Sequence, residues 1–338
     1  MKNKSLIIVG GNRHLDDGPL VSVLNASKKN KIKVFLVTDK LHLNKPCKNF
    51  KTFKELLKRN KVDYLEVNNL KKTLFFKNYL KKYPNTILLT TFCFFKINSK
   101  ILNLFPNRIF NYHLGKIPEQ VGASSSFWQM MSGQVESAIS FHKTSKDLDA
   151  GDVLYEKKFE LKKGYSTNEF YKSVRKYEKI ALDHFLRSVF KNKRFRIIKK
   201  NNNNKIYMPK LDTKIHGFIN WSWNAKDIAT FAKVFDHPFI GASTFMKEKR
   251  VYLRNVSYHK SKINFHPFQS GIIFNKDKNK IYIACLNGFI KASLFDIKKK
   301  INLSKVILGT KLYTDQIYLD RANKTRSIHT GIKIKFKI

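Results

Sequence analysis

The sequence predicts an α/β protein, a parallel sheet wrapped by helices and followed by a small β-barrel. Three observations carry that expectation. Short β-branched runs alternate with amphipathic segments from residue 5 to about 113, a polar low-complexity stretch lies near residue 200, and regularly spaced strand patterns follow it. With 338 residues, 42% of them apolar, the chain is too long for one small core and too apolar for disorder, so two domains are expected. Their expected extents are 1–195 and 211–338, joined by a linker at 196–210.

In chain order, the first strand covers 6–9 and ends in Gly10-Gly11-Asn12, glycines that let the chain turn. The third glycine of a dinucleotide fingerprint is missing, and so is an acidic residue at the expected distance. Strands at 33–37, 64–67, 86–90 and 109–113 alternate with helices near 18–29, 51–60, 70–82 and 97–104. A helix near 124–132 precedes strands at 137–142 and 152–159. Ser166-Thr-Asn-Glu169 has capping-box spacing and opens a helix to about Phe190, with Phe170, Val174, Tyr177, Ala181 and Phe185 on one face. Lys199-Lys-Asn-Asn-Asn-Asn-Lys205 is polar and without periodicity, the heart of the linker. Beyond it, Asn224 caps a helix to Phe235, and strands at 250–258, 271–274, 280–284 and 289–296 suggest a small barrel with one helix.

Lys+Arg number 67 against 24 Asp+Glu, a net charge of +43 that favours polyanions at long range. Only 11 of those cations are Arg, the residue that grips phosphate bidentately, and the wealth of Lys, Asn, Ile and Phe is what an AT-rich coding sequence produces. Lys298–Lys300 and Lys191–Arg196 are the basic runs that stand as candidate polyanion contacts. Cys47, Cys93 and Cys285 are too far apart for a metal or redox motif, so no metal site is expected and a reducing cytoplasm fits. The first ten residues do not have the pattern of a signal peptide. The longest apolar stretch, 86–95, is half of what spans a bilayer, so no membrane span is expected.

Two features carry chemistry. Asn111 and His113 stand two apart on a strand, so both point to one side of the sheet, near the carboxyl end where parallel sheets place their sites. Asp147-Leu-Asp-Ala-Gly-Asp152 sets three carboxylates around a glycine turn. An amide to bond an oxyanion, an imidazole to shuttle a proton and a carboxylate to orient it would together support attack of an amine on an activated carbonyl. Each piece alone is ordinary in proteins; the combination points to a site.

Asn111-Tyr-His113, Pro118, Gly122-Ala, Ser137-Ala-Ile-Ser-Phe-His142 and Leu148-Asp149-Ala-Gly-Asp152 together resemble the formyltransferase family, whose donor is 10-formyltetrahydrofolate. The resemblance implies a Rossmann-like catalytic domain, a catalytic trio of Asn111, His113 and Asp149, and a donor slot at Phe92, Phe94, Ile117, Thr144 and Asp147. Ile219-Asn-Trp-Ser-Trp-Asn-Ala225 and His237-Pro-Phe-Ile-Gly-Ala242 resemble the family's C-terminal domain and imply an OB-like barrel with a structural role. The sequence departs from the family in three places: Gly115-Lys-Ile-Pro118 replaces a Ser-Leu-Leu-Pro loop, Val121 replaces an arginine, and residues 38–50 lack the long Arg- and Gly-bearing loop with which methionyl-tRNA enzymes reach the acceptor stem. An amino-sugar nucleotide is thus narrowly favoured as acceptor over methionyl-tRNA. A tRNA- or nucleic-acid-binding protein with an inactive transferase domain is the remaining alternative. The oligomeric state is not legible.

Overall fold

The computed structural model describes residues 4–11, 18–47, 50–71, 73–93, 95–145, 149–297, 299–330 and 333–337. The first half runs β1 (Ser5–Gly10), α1 (Gly18–Lys29), β2 (Lys33–Thr38), α2 (Lys40–Leu43), α3 (Phe53–Arg59) and β3 (Asp63–Glu66). It continues with α4 (Leu74–Lys82), β4 (Ile87–Thr91), α5 (Ser99–Leu104), β5 (Ile109–Leu114), α6 (Ser125–Met131), β6 (Glu136–Lys143), β7 (Val153–Glu160) and α7 (Thr167–Phe190). These strands form one seven-stranded sheet in the order β3-β2-β1-β4-β5-β6-β7. The first five are parallel, as the strand–helix alternation requires, whereas β6 and β7 are antiparallel additions to the edge.

Alternation along β5 divides the two faces. Phe110, Tyr112 and Leu114 enter the core that α1 and α7 cover, and Ile109 enters the opposite core built with Phe76, Ile101 and Phe105 of α4 and α5 and the loop after α5. Asn111 and His113 therefore lie on the α4–α5 side, toward the carboxyl end of β5. The long α7 begins at the expected capping box, with Ser166 accepting from the Glu169 N–H and Glu169 reaching back to Ser166. Its Phe185 stacks on Phe141 at 4.1 Å.

The second half contains α8 (Thr213–His216), α9 (Ala225–Val234), β8 (Ala242–Met246), β9 (Lys249–His259), β10 (Ile273–Lys276), β11 (Ile281–Cys285) and β12 (Gly288–Phe295). α10 (Gln316–Lys324) and a hairpin of β13 (Arg326–Thr330) and β14 (Lys333–Lys337) follow. The five strands from β8 to β12 pair antiparallel in the order β10-β11-β12-β9-β8. Residues 309–313 close the ring: Ile273 N–H donates to Thr310 C=O and Leu312 N–H to Gly271 C=O on one edge, while Phe245 and Tyr313 exchange bonds on the other. The closed barrel was expected; β8 and α10 were not.

The linker is not a free tether. Ile198 bridges Val153, Lys200 pairs with Glu156 at 3.0 Å, and Met208 N–H donates to Val121 C=O at 2.7 Å. Trp128 Nε1 donates to Pro209 C=O at 2.8 Å, so the segment is laid as a strap along the first half. Phe127 of α6 meets Phe235 and Phe239 at 5.9 and 5.0 Å, which joins the two halves through aromatic packing. Among the described residues no helix is long and apolar enough to cross a membrane.

Candidate active site

Two turns bring the three predicted catalytic side chains together. β5 presents Asn111 and His113, and its antiparallel partner β6 sets His142 opposite Asn111. The chain then turns back through Asp149, which adopts a left-handed conformation (φ 49°) that Asp tolerates through local hydrogen bonding. Gly151 makes that turn possible, because a Cβ there would lie 1.8 Å from the Lys143 carbonyl oxygen.

Asp149 is the centre of the cluster. One carboxylate oxygen accepts from the Gly122 N–H at 3.0 Å and stands 3.6 Å from His113 Nδ1. The other accepts from Asn111 Nδ2 at 3.2 Å and stands 3.5 Å from His142 Nε2. Both Asp149 and His113 are buried, 8% and 7% exposed, so these charges act in a poorly screened environment. Burial alone would push the Asp149 carboxyl up. The two imidazoles and the Gly122 N–H outweigh it and hold the group far below the usual carboxylate range.

The remaining bonds fix orientations. Thr90 Oγ1 donates to Asn111 Oδ1 at 2.5 Å, which turns the Asn111 amide nitrogen toward the cluster. That nitrogen also stands 2.9 Å from His142 Nε2, and His142 Nδ1–H donates to Lys143 C=O at 2.8 Å. His113 Nε2 donates to Gln120 C=O at 2.6 Å. Each ring nitrogen of His113 thus faces an acceptor oxygen. The loop after β5 is itself tied down, Ser125 Oγ donating to Leu114 C=O and Ser140 Oγ to Gly115 C=O.

Of the predicted donor-slot residues, Phe94 and Asp147 lie outside the described residues. Phe92 follows β4 with φ 45° and its ring lies 6.1 Å from that of Tyr112. Thr144 follows β6, donates its N–H to Ile109 C=O, and has a buried hydroxyl with no hydrogen-bond partner among the described residues. Ile117 is buried with Val121 and Val153.

Sequence reasoning missed Thr90, Gln120 and His142. It also missed a buried pair at the carboxyl end of β2, where His42 Nδ1 meets Asp39 Oδ2 at 2.6 Å. The His42 ring lies so close to Gly11 that a Cβ there would sit 2.1 Å from it. Lys45 and Lys210 complete that group. Burial first and the Lys45 charge second push the Lys210 ammonium down to about 8. Among the described residues no set of His, Cys, Asp and Glu is arranged to hold a metal ion.

Comparison with known proteins bears on this geometry. The profile of the formyl transferase family matches residues 4–186, and that of the formyl transferase C-terminal domain matches residues 213–310. A methionyl-tRNA formyltransferase of Finegoldia magna is 26% identical over 63% of this chain and 67% of its own. The bifunctional polymyxin resistance protein ArnA of Wigglesworthia glossinidia brevipalpis is 24% identical over 65% of this chain, a match spanning 32% of the ArnA chain. In fold, the chain is similar to an N-formyltransferase of Helicobacter canadensis solved with folinic acid and dTDP-3-aminofucose. The TM-score is 0.61 at 17% identity, over 86% of this chain and 100% of that one.

Proposed function

The chain belongs to the formyl transferase family, and from that premise we propose that Asn111, His113 and Asp149 transfer a formyl group from 10-formyltetrahydrofolate to the primary amine of an amino-sugar nucleotide. The enzyme is a formyl-transferring one, and the family's donor is 10-formyltetrahydrofolate. The observation that carries the site is the convergence on one deeply ionised carboxylate of an amide that donates to it at 3.2 Å and an imidazole 3.6 Å away.

The donor supplies a formyl carbon activated by its nitrogen leaving group. As an amine attacks that carbon, negative charge grows on the formyl oxygen. The Asn111 amide, held at its other end by Thr90, releases one N–H toward that oxygen. His113, set against the Asp149 carboxylate, takes the proton that the attacking nitrogen loses and delivers it to the donor's nitrogen as the carbon–nitrogen bond of the donor breaks and tetrahydrofolate leaves. Thr144 supports the placement of the donor, since its buried hydroxyl lacks a partner that a bound ligand would provide.

The acceptor reading rests on the segment after β2. Residues 40–43 form a four-residue helix, and Cys47 bridges Phe50, which leaves a compact connection where a long reaching loop would be needed for a tRNA stem. Methionyl-tRNA is the second reading, favoured by the net charge of +43 and by the Finegoldia magna relative. Donor-consumption assays on the full chain, with a panel of amino-sugar nucleotides and with initiator methionyl-tRNA, separate the two. Turnover with a sugar and none with tRNA supports the first reading, and the reverse overturns it. Asn111→Ala and His113→Ala should each lower kcat by roughly 100- to 1,000-fold, about 2.7–4 kcal/mol. Near-normal turnover in either variant would remove the assignment.

A further inference from the structure

We propose that a basic cleft at the amino-terminal ends of the sheet strands binds single-stranded nucleic acid, independently of the formyl-transfer site. The cleft has a volume of about 1220 Å³, beyond the roughly 300–1,000 Å³ usual for small-molecule pockets. Seven Lys and Arg side chains line it, with no Asp or Glu among the lining residues.

The fold arranges those cations in two facing rows. The register of the sheet sets Lys33 of β2, Lys4, Asn85, Arg108 and Lys143 of β6 side by side at the ends of five successive strands. At about 4.8 Å between strands, the row is roughly 19 Å long. The opposite wall is the chain leaving α7, where Lys193 and Arg194 project beside Phe195. This is the basic run 191–196 that the formyl-transfer site does not use.

Four helices, α1, α4, α5 and α7, end at the cleft, so their partial negative charges are a competing reason for cations here. At about half a charge per helix terminus they account for about two of the seven, and a strong excess remains. Three of the seven are engaged locally, Lys143 with Asp152 at 3.5 Å, Lys33 with the Tyr83 hydroxyl at 3.1 Å, and Arg108 with the carbonyl oxygens of Pro84 and Thr86. Lys4, Lys31, Lys193 and Arg194 have no carboxylate partner among the described residues.

Charge alone would suit any polyanion. The rings make the choice: Tyr83, Phe190 and Phe195 line the same cleft among the cations, together with the amides of Asn30, Asn85 and Asn192. The three rings are half-buried, Phe195 against Phe185 and Tyr83 against Tyr79, and their remaining surface lines the cleft among the cations, so that the two elements of single-strand recognition, cations that follow a backbone and rings on which bases stack, stand together. A headgroup surface or a sulfated polysaccharide offers no flat base for those rings.

The test uses the full chain and a fluorescein-labelled twelve-nucleotide uridine oligomer, with anisotropy read from 50 to 300 mM KCl. Lys193→Glu with Arg194→Glu should weaken binding at least tenfold at 150 mM and lower the salt slope by about 1.4, at roughly 0.7 per phosphate contact. Lys54→Glu with Lys58→Glu on α3 changes net charge equally and should cost less than twofold. Tyr83→Ala should weaken binding at least fivefold, as loss of a stacking ring does, while an inorganic polyphosphate of equal charge should bind equally to wild type and Tyr83→Ala. Equal losses in the two charge-reversal variants, or an unchanged affinity in Tyr83→Ala, would overturn the proposal. So would binding to anionic vesicles without binding to the oligomer. Formyl turnover with the acceptor it uses should stay at wild-type level in Lys193→Glu/Arg194→Glu, which separates failure of this inference from failure of the catalytic one.

Discussion

Asp149 receives an N–H from Gly122 and another from Asn111 while facing two imidazoles, so its charge is stabilised from every side. A carboxyl whose folded value lies below its unfolded value near 3.9 adds stability that is complete above the unfolded value. That contribution is lost as pH falls through the folded value. Urea midpoints of wild type and Asp149→Asn should therefore differ most near neutral pH and begin to converge only as pH falls below about 4. Parallel curves would mean that the charge is not stabilised by folding. Turnover should fall in Asp149→Asn about as far as in His113→Ala, because His113 loses the carboxylate it faces. Period-two alternation made Asn111 and His113 legible as neighbours in the sequence. His142 was on an expected strand, yet its place opposite Asn111 depends on an antiparallel register that no local pattern encodes. Thr90 reached the site in the same way, from β4, through pairing with β5.

At the scale of elements, caps and glycines fix where the chain turns. Ser166→Ala removes the N-cap of α7 and should cost about 1 kcal/mol in denaturant stability without changing kcat. Gly122→Ala should behave differently. Its φ is 114° and a Cβ would sit 2.2 Å from the Met208 carbonyl oxygen, so the loop must shift and take its N–H away from Asp149. Stability and turnover should fall together, the backbone strain alone being of order 1–3 kcal/mol. The strand–helix alternation of the first half was legible because each element carries its own periodicity. β8 was not, since Ala-Ser-Thr-Phe-Met is short and weakly patterned, and α10 was not, since none of its residues is buried. The linker read as a loop from its asparagines. Its pairing with Val121 and Val153 uses backbone groups, which composition does not reveal.

Over the whole molecule, the two halves share a core. Phe235, fully buried in α9's C-terminal turn, packs on Phe127 of the first half, and Thr167 at the start of α7 donates to the Lys233 carbonyl. Phe235→Ala should cost about 3–5 kcal/mol and loosen both halves at once. Hydrogen exchange would read this as faster exchange in α6 as well as in α9, and an effect confined to α9 would show that the halves are energetically separate. The barrel was legible as strands at regular spacing. Its closure by residues 309–313 was not, because that segment donates backbone bonds to two edges without a strand-like sequence of its own.

The strap has a consequence for recombination. Val121 N–H donates to Ile206 C=O, Met208 N–H donates to Val121 C=O, and Leu211 N–H donates to Ser124 Oγ, so the wall behind the Asp149 carboxylate is made of residues that precede the second half. A chimera cut in the asparagine run at 201–204, where the composition invites a junction, would give the donor half a foreign wall. A crossover after Asp212 would carry the whole wall along with it. Heredity that shuffles the barrels of such enzymes while preserving their chemistry is thus constrained to exchange them beyond the strap.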